Sequence, residues 1–479
     1  MTQPNLLIIM SDEHQARAMG CAGHPFVQTP NLDALAARGM RFTDAYTPSP
    51  ICVPARAAFA SGRYVHVNRL WDNAMPYTGE PKGWGHRLQD AGVPVESIGK
   101  LHYRHHEDPA GFDTEHIPMQ VVNGVGMVWA SIRKEDERVG PPGGGRMLGE
   151  YIGPGQSKYT EYDAAVTERT GQWFAQRAAS GDDRPWCLYV GLVAPHFPLI
   201  VPQEFYDLYP LDRLPPVKLH PDAGHARHPW VEKQNVMMDS ETRFKDTEER
   251  LSAMASYYGL CSWLDHNVGQ VIGALGAAGF GDNTTVIYTS DHGDNVGARG
   301  LWGKSNLYQE SVAVPLIMAG PGIAPGTCET PVSLLDISAT VPDHFGLKFE
   351  GDGVSLARIA EAEDDPERPI LSEYHAAGAV SGAFMLRKGR WKLNYYVGFA
   401  SELYDMRDDP EELTDLAADP IHAETLTEME TALRAILDPE AVDAQAFADQ
   451  AELIASHGGR EAALKLGAPG ATPPPEAKS

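Results

Sequence analysis

The feature that most restricts the fold of this chain is a series of short, largely apolar runs, bounded by turn residues and separated by helical stretches. They are Leu6 to Met10, Pro94 to Ile98, Trp186 to Val193, Thr285 to Tyr288 and Pro315 to Ala319. Such runs are strands buried on both faces. The longest helical candidate carries apolar residues at Leu251, Met254, Tyr258, Cys261, Leu264, Val268, Ile272 and Leu275, three or four apart, and ends near Gly276 and Gly279. Strands alternating with helices predict an α/β chain with a mostly parallel central sheet sandwiched by helices. Ligands of such sheets bind outside the carboxyl ends of the strands, so the polar residues that follow each run matter most.

With 479 residues the chain has room for one large domain and a smaller one. The charged, proline-containing stretch Glu361 to Pro369 reads as a linker. Beyond it, closely spaced strand-like pieces near Ile370 to Tyr374, Ala383 to Leu386, Arg390 to Tyr396 and Glu402 to Tyr404 predict a small antiparallel sheet. The expected division is a main α/β domain over 1–365, a small C-terminal α+β subdomain over 366–466 and a flexible, Pro-rich tail over 467–479. The loop Gly140 to Gly145 neither follows a strand nor opens a helix, and reads as a surface excursion instead of a phosphate cradle.

Charge narrows the partners. There are 39 basic and 65 acidic residues, a net charge of −26, which repels nucleic acid and anionic membranes. An anionic substrate then has to be held by a few concentrated cations or a metal. No apolar run approaches the roughly 18–20 residues of a membrane span, and the first residues lack a basic signal-peptide region. The 5 cysteines are odd in number and without CxxC spacing, which favours neither a disulfide framework nor a zinc site. A cytoplasmic setting is expected.

Two acidic clusters follow strand ends: Asp12-Glu13 after the first run, and Asp291-His292-Gly293-Asp294 after the run ending at Ser290. Hard oxygen ligands with one imidazole suit a divalent cation, Ca²⁺, Mn²⁺ or Mg²⁺. Spacing alone leaves open a plainer assignment, with Asp12 as a capping carboxylate and Asp291-His292-Gly293 as a turn.

The segment Cys52-Val53-Pro54-Ala55-Arg56 resembles the Cys-x-Pro-x-Arg signature of the type I sulfatases of the alkaline phosphatase superfamily, whose cysteine is oxidised to formylglycine. Pro54 suits the first turn of a helix, which places residue 52 near a positive helix end that favours an anion. Further ordered pieces are similar to that family: Thr29 to Gly39, Gly99-Lys100-Leu101-His102, Pro195-His196-Phe197-Pro198, Ser290 to Asp294, Gly303-Lys304 and Glu310 to Leu316, with Leu403-Tyr404-Asp405 and Asp409 to Glu412 resembling its C-terminal subdomain. Trp71-Asp72-Asn73, Asp291-His292 and Glu373-Tyr374-His375 look closest to the choline-sulfatase and phosphonate monoester hydrolase branch.

The resemblance implies a metal site of Asp12, Glu13, residue 52, Asp291 and His292, although Glu13 stands where other sulfatases often carry Asp or Gln, which leaves its direct coordination open. It implies a hydrated aldehyde at position 52 as nucleophile, with Arg56, Lys100 and Lys304 bearing the charge of the transferring group. His196 with Lys304 would protonate the leaving oxygen, and His102 would assist release of sulfate. Asn73 is either a donor to substrate or an ordinary turn residue. Trp129 with Glu373 would suit a quaternary ammonium such as choline. His105, His106, His220, His225 and His228 are expected to be solvent-exposed. The implied partners are a small sulfate or phosphonate ester and a formylglycine-generating enzyme, and a homo-oligomer is expected. Two alternatives to a small-ester sulfatase stand beside it: a phosphonate monoester or phosphodiester hydrolase with the same residues, and an idle anion-binding scaffold in which Cys52 stays a thiol.

Overall fold

The computed structural model describes residues 3–135, 152–237, 239, 241–466 and 472–475. The Gly140 to Gly145 loop lies outside them. The strands of the main sheet are β1 (Asn5–Asp12), β2 (Met40–Phe42), β3 (Val95–Lys100), β4 (Thr114–Met119), β5 (Cys187–Pro195), β6 (Thr284–Ser290), β7 (Leu316–Ala319) and β8 (Gly326–Cys328). Their spatial order is β8-β2-β7-β6-β1-β5-β3-β4. The stretch from β6 through β1, β5 and β3 to β4 is parallel throughout. β7, read from sequence as one more buried strand, runs antiparallel to β6 and to β2. The sheet is therefore mixed at that edge and mostly parallel elsewhere, as an α/β layer predicts.

Alternate residues of β1 enter two different cores. Leu7 and Ile9 pack with Leu188, Val190 and Tyr288 against the helices α1 (Pro30–Ala37), α3 (Lys158–Ala179) and α4 (Thr247–Ala277). Leu6, Ile8 and Met10 pack with Cys187, Tyr189 and Ile287 against α2 (Cys52–Ser61) and α5 (Leu334–His344). Helices cover both faces, which is why these strands are apolar at successive positions. The periodic helix read from Leu251 to Leu275 is α4. Its Asp246 side chain accepts from the Glu249 N–H, Glu248 and Glu249 lie in the first turn, and the chain leaves through Gly279 at φ 83°. No helix among the described residues is long and apolar enough to cross a membrane.

After residue 369 comes a four-stranded antiparallel sheet, β9 (Ile370–Tyr374), β10 (Ala383–Lys388), β11 (Trp391–Tyr396) and β12 (Glu402–Asp405), in that order. One face carries Leu371, Phe384, Leu386, Leu393 and Leu403 onto Met429 and Leu433 of α6 (Ala423–Ile436). The other buries Ile370, Tyr374, Met385 and Tyr396 against Tyr46, Ile51, Leu307 and Tyr308 of the main body. The small sheet thus forms part of the support for Ile51, the residue before Cys52. Two further helices, α7 (Pro439–Ser456) and α8 (Arg460–Ala463), return across the region around Trp129.

Candidate active site

β1 and β6 are adjacent, parallel and in register, Ser11 opposite Ser290. The acidic residues after their carboxyl ends are therefore side by side. The chain turns sharply after Asp12, with Glu13 in the left-handed region at φ 70°, and the Glu13 N–H donates to Asp291 Oδ1 at 3.2 Å. Cys52 opens α2, as Pro54 in its first turn requires, and faces this pair of strand ends. Its Sγ lies 3.6 Å from Asp12 Oδ1 and 3.2 Å from His292 Nε2.

The His292 ring fixes the character of the centre. Its Nδ1 is 3.1 Å from the Gly293 carbonyl, an acceptor only, so Nδ1 carries the hydrogen and Nε2 is a lone pair. That lone pair lies 3.7 Å from Asp12 Oδ1 and 3.6 Å from Asp291 Oδ1. One ligand atom each from Asp12, Cys52, Asp291 and His292 falls within 4.8 Å of the others, and Asp12, Glu13 and His196 form a second such group. Glu13 Oε1 is buried with no hydrogen-bond partner. Two carboxylates, an imidazole and the side chain of residue 52 converging at one buried point suit a divalent cation with oxygen and imidazole ligands.

Arg56, one turn into α2, lies beneath the carboxylates. Nε donates to Asp291 Oδ2 at 2.7 Å and Nη2 to Asp12 Oδ2 at 3.3 Å, while Nη1 reaches the Lys100 carbonyl and the Tyr189 hydroxyl, each at 3.0 Å. All three guanidinium nitrogens are thus engaged by protein, and Arg56 orients the ligand carboxylates. Lys100, the last residue of β3, adds its Nζ at 2.5 Å from Asp12 Oδ2. Burial alone would raise the Asp12 carboxyl, but Lys100, with Arg56 and Lys304, holds it well below the ordinary range.

The remaining cationic and imidazole groups close round this floor. Lys304 Nζ is 3.1 Å from Glu13 Oε2 and 5.2 Å from the centre of the Phe197 ring. Against the effect of burial, the acidic groups around it raise the Lys304 ammonium, so it stays charged. His196 donates Nδ1–H to the Phe197 carbonyl at 2.6 Å and turns Nε2 toward Glu13 Oε2, 3.5 Å away. His102 stands at φ 60° beyond β3, with Nδ1 buried and unpartnered. Burial, reinforced by the nearby lysines, pushes both imidazoles well below their usual value, so each is neutral. Burial raises the Glu13 carboxyl far above its usual value, with Asp294 and Asp12 adding to the effect against Lys304. The Cys52 thiol is pushed up to about 12 by burial and then by Asp12, so an unaltered thiol here holds its proton.

The other residues singled out from the sequence lie differently. Asn73 accepts from the Val53 N–H at 3.3 Å and caps the start of α2 through Oδ1. Trp129 is 1% exposed and packs with Ala130, Met237 and Ala377. Glu373 is fully buried, with Oε1 at 2.8 Å from His66 Nδ1 and Oε2 at 3.1 Å from His375 Nε2. Glu373 raises the His66 imidazole toward its charged form, whereas burial lowers that of His375, which remains a hydrogen-bond partner. Among the histidines expected in solvent, His105 and His106 are exposed, but His220 is buried with Nε2 at 3.0 Å from Glu241 Oε1.

Two supporting carboxylates complete the site. Asp163 in α3 accepts from the Val193 and Ala194 N–H groups and fixes the end of β5 before His196. Asp294 accepts from Val296 and Gly303 N–H and holds the loop carrying Lys304. Asp294 belongs to the quoted Asp-His-Gly-Asp cluster, whereas Asp163 is an ordinary polar position in a helix until β5 is placed beside it.

Comparison with known proteins agrees with this geometry. The model of the sulfatase family matches residues 4–347, and that of the N-sulphoglucosamine sulphohydrolase C-terminal region matches residues 297–438. The choline-sulfatase of Rhizobium meliloti is 35% identical over 470 residues, spanning 94% of this chain and 90% of that one. Arylsulfatase K of Homo sapiens is 29% identical over 441 residues, 86% of this chain and 79% of its own. The crystal structure of the phosphonate monoester hydrolase of Agrobacterium radiobacter superposes with a TM-score of 0.75 at 23% identity, over 92% of this chain and 96% of that one, a likeness of fold. The chain belongs to the sulfatase family, within the alkaline phosphatase superfamily.

Proposed function

We propose that the chain hydrolyses a small organic sulfate ester to an alcohol and sulfate, with residue 52 as formylglycine and one divalent cation held by Asp12, Asp291, His292 and residue 52, with Glu13 beside it. The observation that carries this is the convergence of the His292 lone pair, two carboxylates and the side chain of residue 52 at one point, flanked by Lys100 and Lys304. The 35% identity to a choline-sulfatase over nearly the full length supports a sulfate ester of a small alcohol.

The hydrated aldehyde supplies a hydroxyl that attacks sulfur as the bond to the leaving oxygen breaks. A cation in this site supplies positive charge to the transferring group and eases ionisation at neutral pH. Lys100 and Lys304 neutralise the sulfuryl oxygens, a stabilisation that is strong because Lys100 is buried and the Lys304 side chain is only 9% exposed. Glu13 Oε2 lies 3.5 Å from His196 Nε2 and 3.1 Å from Lys304 Nζ, and these three groups serve the leaving alcohol. The unpartnered Nδ1 of His102 takes the proton of the second hydroxyl as sulfate departs and the aldehyde returns. A thiol pushed up to about 12 has no such route, so the proposed turnover requires the altered residue.

The ion is proposed as Ca²⁺ or Mn²⁺, with Mg²⁺ as an alternative, the imidazole tilting the choice away from Ca²⁺ alone. A cytoplasmic setting fits the 5 unpaired cysteines. Maturation by a formylglycine-generating enzyme and a homo-oligomeric assembly belong to the same proposal. The test is twofold: peptide mass spectrometry of the segment around residue 52 from a host that makes the modification, and turnover on alkyl sulfate, aryl sulfate, phosphodiester and phosphonate monoester. Thiol alone rejects the nucleophile. Far higher phosphonate or phosphodiester turnover assigns the site to phosphoryl transfer instead.

A further inference from the structure

The tail expected to fray touches the site. Thr472 Oγ1 is 2.7 Å from His102 Nε2, and the Thr472 carbonyl accepts from the Tyr159 hydroxyl at 2.5 Å. These two partners belong to different elements. His102 follows β3, whereas Tyr159 is in the first turn of α3 and stands edge-on to His196, ring centres 5.9 Å apart. Tyr159 also senses the charges of Asp12, Cys52, Lys304 and Glu13, so it borders the reaction centre. Thr472 and Pro474 are half-buried, while Pro473 and Pro475 face solvent.

The chemistry of the stretch suits a wall. Three successive prolines have fixed φ and no N–H, so the segment is stiff and extended and cannot fold back on itself. Upstream, Ala463 packs against Ala74, Val128 and Ile132, and Leu464 against the Trp129 cluster. The chain therefore passes from the Asn73–Trp129 side at residue 464 to the His102–Tyr159 side at residue 472. Thr472 also acts on His102 itself. When its hydroxyl oxygen accepts the Nε2 hydrogen, Nδ1 becomes the lone-pair nitrogen that a base requires.

We infer that Thr472–Pro475 is a wall of the ester site that restricts the leaving group to small alcohols, with Thr472 as a positioning residue for His102. This rests on the sulfate-ester function proposed above. Three full-length or shortened forms test it: deletion of residues 467–479, Thr472→Val and Thr472→Ser. Deletion raises kcat/KM for a naphthyl sulfate relative to ethyl sulfate by roughly ten- to a hundredfold, the range of a removed pocket contact. Thr472→Val lowers kcat with KM nearly unchanged, and Thr472→Ser restores it. A selectivity ratio unchanged within about twofold on deletion, or equal kcat for the Val and Ser forms, overturns the inference. If deletion prevents folding, the two Thr472 forms decide alone. Hydrogen exchange of the segments 100–104 and 158–161 is read separately from activity. Exchange that is faster after deletion supports the wall even if no sulfate ester is cleaved, in which case only the functional proposal fails, and equal exchange refutes the wall.

Discussion

Arg56 offers the sharpest test of how the centre is assembled. It is 1% exposed, and its guanidinium neutralises Asp12 and Asp291 while also bonding the Lys100 carbonyl and Tyr189. Arg56→Met keeps most of the volume but leaves two buried carboxylates short of a partner. Breaking a buried ion pair in this way costs about 3–5 kcal/mol, a factor of roughly 150 to 5,000 in the folding equilibrium. Arg56→Lys keeps the charge yet loses the fork. Giving up about two hydrogen bonds worth ~1–1.5 kcal/mol each, it should cost about 2–3 kcal/mol. Urea unfolding with and without saturating Mn²⁺ reads both. Because the Met form leaves the carboxylates uncompensated, added Mn²⁺ stabilises it more than the parent, with about 2.7 kcal/mol available at a hundredfold excess over Kd. A loss below about 1 kcal/mol for Arg56→Met, together with an equal Mn²⁺ increment in both proteins, would refute the assignment of Arg56 as the counter-charge of the metal ligands.

Three other outcomes follow from the same geometry. Asp291→Asn removes a carboxylate charge from the cluster of Asp12, Cys52 and His292, so bound metal by elemental analysis and turnover both drop, the rate by orders of magnitude; unchanged values count against the site. Cys52→Ala abolishes turnover while the unfolding midpoint stays near that of the parent, and turnover comparable to the parent rejects residue 52 as nucleophile. Glu373 is held at about 2 against an ordinary 4.5, because His66 and His375 outweigh the burial that would raise it. A lowered folded-state value means that this stabilisation is complete above pH 4.5 and is lost as pH falls toward 2, about 3 kcal/mol in all. Acid titrations of stability should show that extra fall in the parent and not in Glu373→Gln; parallel curves contradict it.

Much of the centre was legible in the sequence because strand ends and a helix start carry it. The runs ending near Met10 and Tyr288 are β1 and β6, and once they are neighbours the acidic residues after each must meet. Pro54 and Arg56 follow Cys52 at helical spacing, which fixes the direction of the guanidinium without any tertiary information. The short strands β2 and β8 have too little sequence of their own to show a period, and only β7 and its neighbours define them. Glu373 and Trp129 have surroundings that local sequence does not show. Local sequence does not reveal that His66, some 300 positions away, supplies the counter-charge, nor that Met237, Ala377 and Leu464 pack around Trp129. Thr472 is the extreme case, since its significance lies wholly in a partner 370 positions earlier.

The shared core beneath Ile51 has a consequence for the order of events in the life of the chain. Ile370, Tyr374, Met385, Tyr396 and Tyr404 roof the region of Tyr46, Ile51, Leu307 and Tyr308, and all five emerge late from the ribosome. Until they dock, that apolar surface is bare and the segment starting at Cys52 has lost one of its supports. Afterwards Cys52 is 2% exposed. Any second enzyme that acts on this thiol therefore works against a clock set by the synthesis and docking of residues 370–404.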